Sequence, residues 1–273
     1  MNTQTLTPGT GAEPHVADAD EPQQRRHVNP VAVSGAAPGG GSRLPRRAAL
    51  IAGTGYVALF ALAIFANFVV LEGMVVVDDP AATAANIADS PGLFRLGIVA
   101  FVAVFVIDVA VAWALFALFR DRDRDLSLAA AWFRLAYTVM LGVGVVFLVQ
   151  ALGFVDGAGL LGAAEPEVLQ AQALVALDSF DAAWLVGLVA FGVHLVMLGA
   201  LLLRSKRGPR VMAVLLVVAG VAYVVDTTAH LLLSNYEQYG SVFLAMVAVP
   251  SIVAEGWFGL WLLVKGGRGP RWS

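Results

Sequence analysis

Six long apolar stretches separated by polar breaks run along the chain: about Ala48 to Leu71, Pro91 to Phe119, Leu128 to Phe154, Asp181 to Leu203, Val211 to Leu233 and Phe243 to Val264. A bilayer core of about 30 Å needs about 20 helical residues, so each stretch suffices to cross with some tilt. The pattern predicts an all-α fold, a polytopic membrane protein with six transmembrane helices in a single bundle. Between the first two spans, Asp78 and Asp79 precede Pro80 and AATAANIADS, a helix-start signal that predicts a short surface helix. Val155 to Asp178 reads as a loop in which EPEVLQAQALVALD is proline-initiated and partly amphipathic. It predicts a second short extracytoplasmic helix, on the membrane surface or capping the bundle. RDRDRD, Arg120 to Asp125, alternates in sign and reads as a solvated loop.

Composition agrees with the pattern: 59% of the 273 residues are hydrophobic and 14% charged, against roughly 45 to 50% and about 25% in soluble domains. Residues 1–44 are rich in Pro, Gly, Thr, Ala and charge without apolar periodicity, and read as a disordered tail. The membrane domain is placed at 45–266, with a short tail at 267–273. The first apolar run starts too far from Met1, and is too long, for a secretory signal, so it is expected to remain as an anchor.

The formal net charge of −3 says little, because the two signs are segregated. Of the 17 Lys and Arg, all but Arg95 and Arg134 fall in the N-terminal tail, the Arg120 loop, the Arg204 to Arg210 loop and the C-terminal tail. These four segments alternate correctly for six spans. The remaining loops carry Glu72, Asp78, Asp79, Asp89, Asp156, Glu165, Glu167, Asp178 and Glu237. Basic residues bias loops to the cytoplasm, so both termini are expected to be cytoplasmic and the protein to reside in the plasma membrane.

Each of the six spans contains an ionisable or amide group that lipid would reject. With a rise of about 1.5 Å per residue, Asp108, Arg134, His194 and Glu255 lie roughly 10 to 18 Å from the cytoplasmic surface. Asn67, Asp226 and His230 lie roughly 24 to 30 Å away. Each charge facing lipid near mid-membrane costs about 2.5 to 3.5 kcal/mol on the gentlest scale, so the inner set is expected to turn inward, with Arg134 donating to Asp108 or Glu255. Arg95 is too far along its helix to reach Asp108 and is read as reaching the outer headgroups. Ser251, Glu255 and Gly259 share one helical stripe, as do Arg134, Thr138 and Gly142, and Ala222, Asp226 and His230 share another. Two readings stay open for the inner layer: structural glue, or a proton, ion or polar-substrate pathway.

Other chemistry is set aside. Without cysteine there is no disulfide, thiolate metal site or cysteine nucleophile. His194 and His230 differ by roughly 15 Å in depth, which argues against bis-histidine haem. Asp226 and His230, with Asn67 at similar depth, fall short of the nitrogen ligands zinc prefers. No Walker, Rossmann, HExxH or GxSxG pattern is present; the GTGY at Gly53 to Tyr56 and GVG at Gly142 to Gly144 sit in apolar runs as packing glycines. The basic loops lack interleaved aromatics, so nucleic acid is not expected as a partner.

At DDPAATAANIADSPGLFRLGI, the WFRL around Arg134, FGVHLVMLGALLLRS around His194, PRVMAVLLVVAGVAYVVD ending at Asp226, and Glu255 to WLLVKG, the chain resembles a bacterial membrane family called domain of unknown function 4386. The likeness covers roughly Arg46 to Gly266. It implies a six-helix membrane protein and brings no activity, cofactor or substrate. The sequence is therefore read as an integral membrane protein with a buried polar cluster, its partners the lipid bilayer and a small-molecule or ion ligand. Its biochemical role is left unknown, with small-molecule or proton-coupled transport as the more specific expectation and a membrane-embedded enzyme or metal-binding protein, or a structural or interaction role, as the alternatives. No catalytic residue, cofactor or metal is assigned, and neither substrate nor oligomeric state is read.

Overall fold

A computed structural model describes residues 43–157, 164–205, 208–266 and 268. Apart from their edges, the two tails expected at 1–44 and 267–273 lie outside these residues. Six helical segments are long and apolar enough to cross a membrane: Pro45–Met74, Pro91–Phe119, Arg124–Asp156, Pro166–Ser205, Arg210–Leu232 and Tyr236–Val264. No strand occurs among the described residues. This follows from the solvent, since in lipid a helix satisfies its backbone donors and acceptors within its own segment.

The first span is composite. Helix α1 (Arg43–Ile64) passes into a π-helical segment, Phe65–Leu71, and ends in one α-helical turn, α2 (Glu72–Met74). A tight turn follows, with Asp78 at φ 59°. Asp79 then caps the surface helix α3 (Pro80–Asp89), its carboxylate accepting from the Ala82 amide at 2.9 Å with Pro80 at the first helical position. Thr83 Oγ1 holds the turn closed against the backbone of Val76.

The remaining spans are α4 (Pro91–Phe119), α5 (Arg124–Asp156), α6 (Pro166–Ser205), α7 (Arg210–Leu232) and α8 (Gly240–Val264), the last preceded by a 3-10 turn at Tyr236–Tyr239. Each packs on the next and α8 returns to α1, so the spans close into a ring in chain order. Arg46 secures the closure, donating to the carbonyls of Leu263 and Gly266 at 2.8 Å and of Leu262 at 3.3 Å. These are carbonyls of the last turn of α8 and just beyond it, the group a helix C-terminus leaves open.

Two expectations are corrected here. EPEVLQAQALVALD is not a separate surface helix: it forms the first turns of α6, which runs unbroken for 40 residues. Its apolar face, Ala173, Ala176, Leu177 and Phe180, is buried, and this end of α6 packs on α3 and α5. The RDRDRD run is not wholly a loop either, because Arg124 already begins α5. Asp123 caps that helix by accepting from the Leu126 amide at 3.0 Å, and also takes Arg204 at the end of α6 at 3.0 Å.

Packing follows residue size. Ridges of valine face outward, including Val211, Val214, Val218, Val221 and Val225 on α7, spaced by three and four. Small residues face the neighbouring helix. A Cβ on Gly192 would stand 2.6 Å from the Gly220 carbonyl, and one on Gly199 2.6 Å from that of Ala213, so α6 and α7 meet backbone to backbone.

Candidate functional site

Asp108, near the middle of α4, and Arg134, one helix on in α5, are each 1% exposed. The guanidinium forms an ion pair with the Asp108 carboxylate, donating from Nε to Oδ1 at 2.8 Å and from Nη2 to the same oxygen. Its third nitrogen, Nη1, reaches the Tyr56 hydroxyl of α1 at 3.1 Å and His194 Nε2 of α6 at 3.2 Å. Thr138, one turn beyond Arg134, lies 3.1 Å from Asp108 Oδ2 and 2.8 Å from the Arg134 carbonyl, and donates to one of them at a time. The rings of Tyr56 and Phe191 flank the guanidinium with centroids 5.1 and 5.5 Å from Cζ, so the cation also meets π-faces in a dry site.

His194 is fixed by its two partners. Nδ1 lies 2.8 Å from the Ala130 carbonyl, which only accepts, and Nε2 faces an arginine, which only donates. The geometry therefore selects the neutral imidazole with its proton on Nδ1. Four helices, α1, α4, α5 and α6, thus meet at one guanidinium, and every polar group in the network has a partner. That is the condition under which a buried pair is tolerated.

Glu255, the fourth residue of the inner layer, is outside the network. It sits on α8, within electrostatic reach of Arg134 and Asp108, but no hydrogen bond or ion pair among the described residues involves it. Instead it lines a groove of about 350 Å³ between α1 and α8, with Tyr56, Val57, Phe60, Ala61, Ile64, Gly256, Gly259 and Leu260. Of the two acids at comparable depth, Arg134 takes Asp108.

The outer layer does not converge. Asn67 donates to the Ala63 carbonyl at 3.0 Å, within its own helix, at the point where α register gives way to π. Asp226 accepts from the Tyr236 hydroxyl at 2.6 Å. The His230 ring lies on the same tyrosine, centroids 4.4 Å apart, and Phe243 stacks at 5.1 Å. Asp226 and His230 thus share Tyr236. Between the layers, the Tyr223 hydroxyl lies against Ser251 and within electrostatic reach of both Glu255 and Asp226. Tyr223 of α7 and Ser251 of α8 thus meet between the helices that carry Asp226 and Glu255. Arg95 is also corrected: it pairs with Asp156, at the end of α5, at 2.8 Å.

Sequence reasoning passed over Tyr56, which it grouped with packing glycines, and Tyr223. The depth ruler offered a signal for the first, since Tyr56 lies roughly 15 Å along the span from Arg46, level with the charged residues. Tyr236 falls in the connection before the last span, and nothing in the linear pattern links it to Asp226.

No solved structure matches the chain. It is similar to an uncharacterized protein of Archaeoglobus fulgidus, 22% identical over 169 residues, 62% of this chain and 83% of that protein. Residues 51–266 match the family described as Domain of unknown function (DUF4386), a stretch that begins within the first span, takes in the other five and includes Asp108, Arg134, His194, Glu255, Asn67, Asp226 and His230. With that match over most of its length, this multi-pass membrane protein belongs to the DUF4386 family.

Proposed function

We propose that the protein is a plasma-membrane transport protein for a small molecule, a proton or both, with its six-span domain at 45–266 and cytoplasmic tails at 1–44 and 267–273. The observation that carries this reading is Glu255, an acid at membrane depth on α8 that has no hydrogen bond or ion pair among the described residues and lines a groove between α1 and α8. A packing role for buried polar groups calls for closed networks such as that of Arg134. A carboxylate at membrane depth without a partner is costly unless it takes up a proton or a cation. Glu255 is in that position, and Asp226 rests on a tyrosine hydroxyl. An outer pocket gathering Asn67, Asp226 and His230 would favour the enzyme alternative, and Asn67 instead donates within its own helix.

Complementation of a deletion strain, read beside melting of the purified protein, tests this. Glu255→Gln and Asp226→Asn keep size and much of the hydrogen bonding but cannot carry a proton or a charge. Both are expected to melt like the parent and fail to complement. Normal complementation by both variants retires transport in favour of a structural role.

A further inference from the structure

We infer that the groove between α1 and α8 is a binding site for a lipophilic cation that enters sideways from the bilayer, with the Glu255 carboxylate as its counter-ion. The inference deepens the transport reading and rests on it for the meaning of occupancy. The wall is apolar, formed by Val57, Phe60, Ala61, Ile64 and Leu260, and Glu255 is the one ionisable carboxyl on it. Val57, Phe60, Ala61, Ile64 and Leu260 are also exposed on the outer surface of the ring, so the groove opens toward lipid. From Tyr56 to Ile64 it extends about 12 Å along α1. A concave, mainly apolar site with one well-placed polar group is the usual form of a small-molecule pocket, and a volume of about 350 Å³ lies in the range of about 300 to 1,000 Å³ typical of such pockets.

Charge selects the ligand class. The cation within electrostatic reach of Glu255, Arg134, is already neutralised by Asp108, and its remaining donors go to Tyr56 and His194. When ionised, Glu255 is therefore the carboxylate left without a charge partner here among the described residues. An anion would be repelled, and a neutral polar solute would lose its water for one acceptor. A hydrophobic cation gains the carboxylate and the apolar walls together, in a medium where the attraction is weakly screened. Gly256 lines the groove and a Cβ on it meets no atom within 4 Å, so a side chain there starts into open space.

The test uses the full chain in lipid nanodiscs and radiolabelled tetraphenylphosphonium, measured by equilibrium dialysis against empty nanodiscs. Saturable binding is expected, weakened roughly tenfold or more by Glu255→Gln, since tenfold is the loss of about 1.4 kcal/mol. Gly256→Leu is expected to weaken it as much with the carboxylate intact and the melting temperature unchanged. The size-matched anion tetraphenylborate and the neutral triphenylphosphine oxide should show no saturable component in separate titrations. Equal binding of the neutral compound, or parent-like cation binding by Glu255→Gln, overturns the site and makes the groove a seat for lipid chains. Binding that is lost in Glu255→Gln while Glu255→Gln and Asp226→Asn both still complement keeps the site and removes transport. Absent binding beside failed complementation removes the site and leaves transport standing.

Discussion

The chemistry of one side chain, Arg134, accounts for most of the polar interior. Its fork spends Nε and Nη2 on Asp108 and Nη1 on Tyr56 and His194, a division of labour that a single ammonium cannot reproduce. Arg134→Met strands the Asp108 carboxylate with Thr138 alone and is expected to cost about 3 to 5 kcal/mol, as removal of one partner of a buried pair does. Arg134→Lys is expected to recover only part of this, and pairing Arg134→Met with Asp108→Leu most of it. Melting in detergent measures all three, and a parent-like Arg134→Met excludes a structural role for the pair. That such a cluster exists is legible in the sequence, because four ionisable groups at one depth cannot all face lipid. Which acid Arg134 takes is not legible, since Asp108 and Glu255 lie at similar depth and only the ring order puts α4, not α8, beside α5. Tyrosine hydroxyls escape the same reasoning because an exposed tyrosine is tolerated near membrane interfaces and sends no comparable signal of cost.

At the scale of elements, the spans are readable because hydropathy reports the solvent directly, whereas the junctions are settled by contacts that a linear pattern does not contain. Asp178 and Asp181 break the apolar run and suggest a loop before the fourth span. The helix continues through them because Ala173, Ala176, Leu177 and Phe180 find α3 and α5 to pack against. The π segment at Phe65–Leu71 likewise leaves no mark in composition beyond an asparagine able to take a backbone carbonyl. The α6–α7 contact offers a sharper expectation. Gly192→Val places a branched side chain against the Gly220 carbonyl, Val224 and Tyr223, where backbone cannot yield as a side-chain tip can. Overpacking of this kind costs about 1 to 3 kcal/mol or more. Gly153→Val, with nothing within 4 Å of its Cβ, serves as the control and is expected to leave the melting temperature near the parent's. Equal behaviour of the two variants removes close packing as the reason for Gly192.

Across the whole molecule, ring closure and the ends of the spans constrain the topology together. Successive spans alternate in direction, so an even number brings α1's start and α8's end to one face, where Arg46 joins them. On that face the Asp123–Arg204 pair links the connection before α5 to the end of α6, and on the opposite face Arg95–Asp156 links the start of α4 to the end of α5. Exposed pairs of this kind contribute little stability, so their value here is positional. The face with Arg46, Asp123 and Arg204 is also the one bearing the chain's basic loops, and basic residues within short loops are retained in the cytoplasm. Reporter fusions after Arg124 and Arg207 are therefore expected to read cytoplasmic, and fusions near Glu165 and Glu237 to read outside. Because α6 begins at Pro166, the Glu165 fusion also tests whether the long helix emerges on the acidic side before it crosses. An outside signal at Arg207 is incompatible with six alternating spans, while inversion of all four signals together keeps the ring and reverses its orientation.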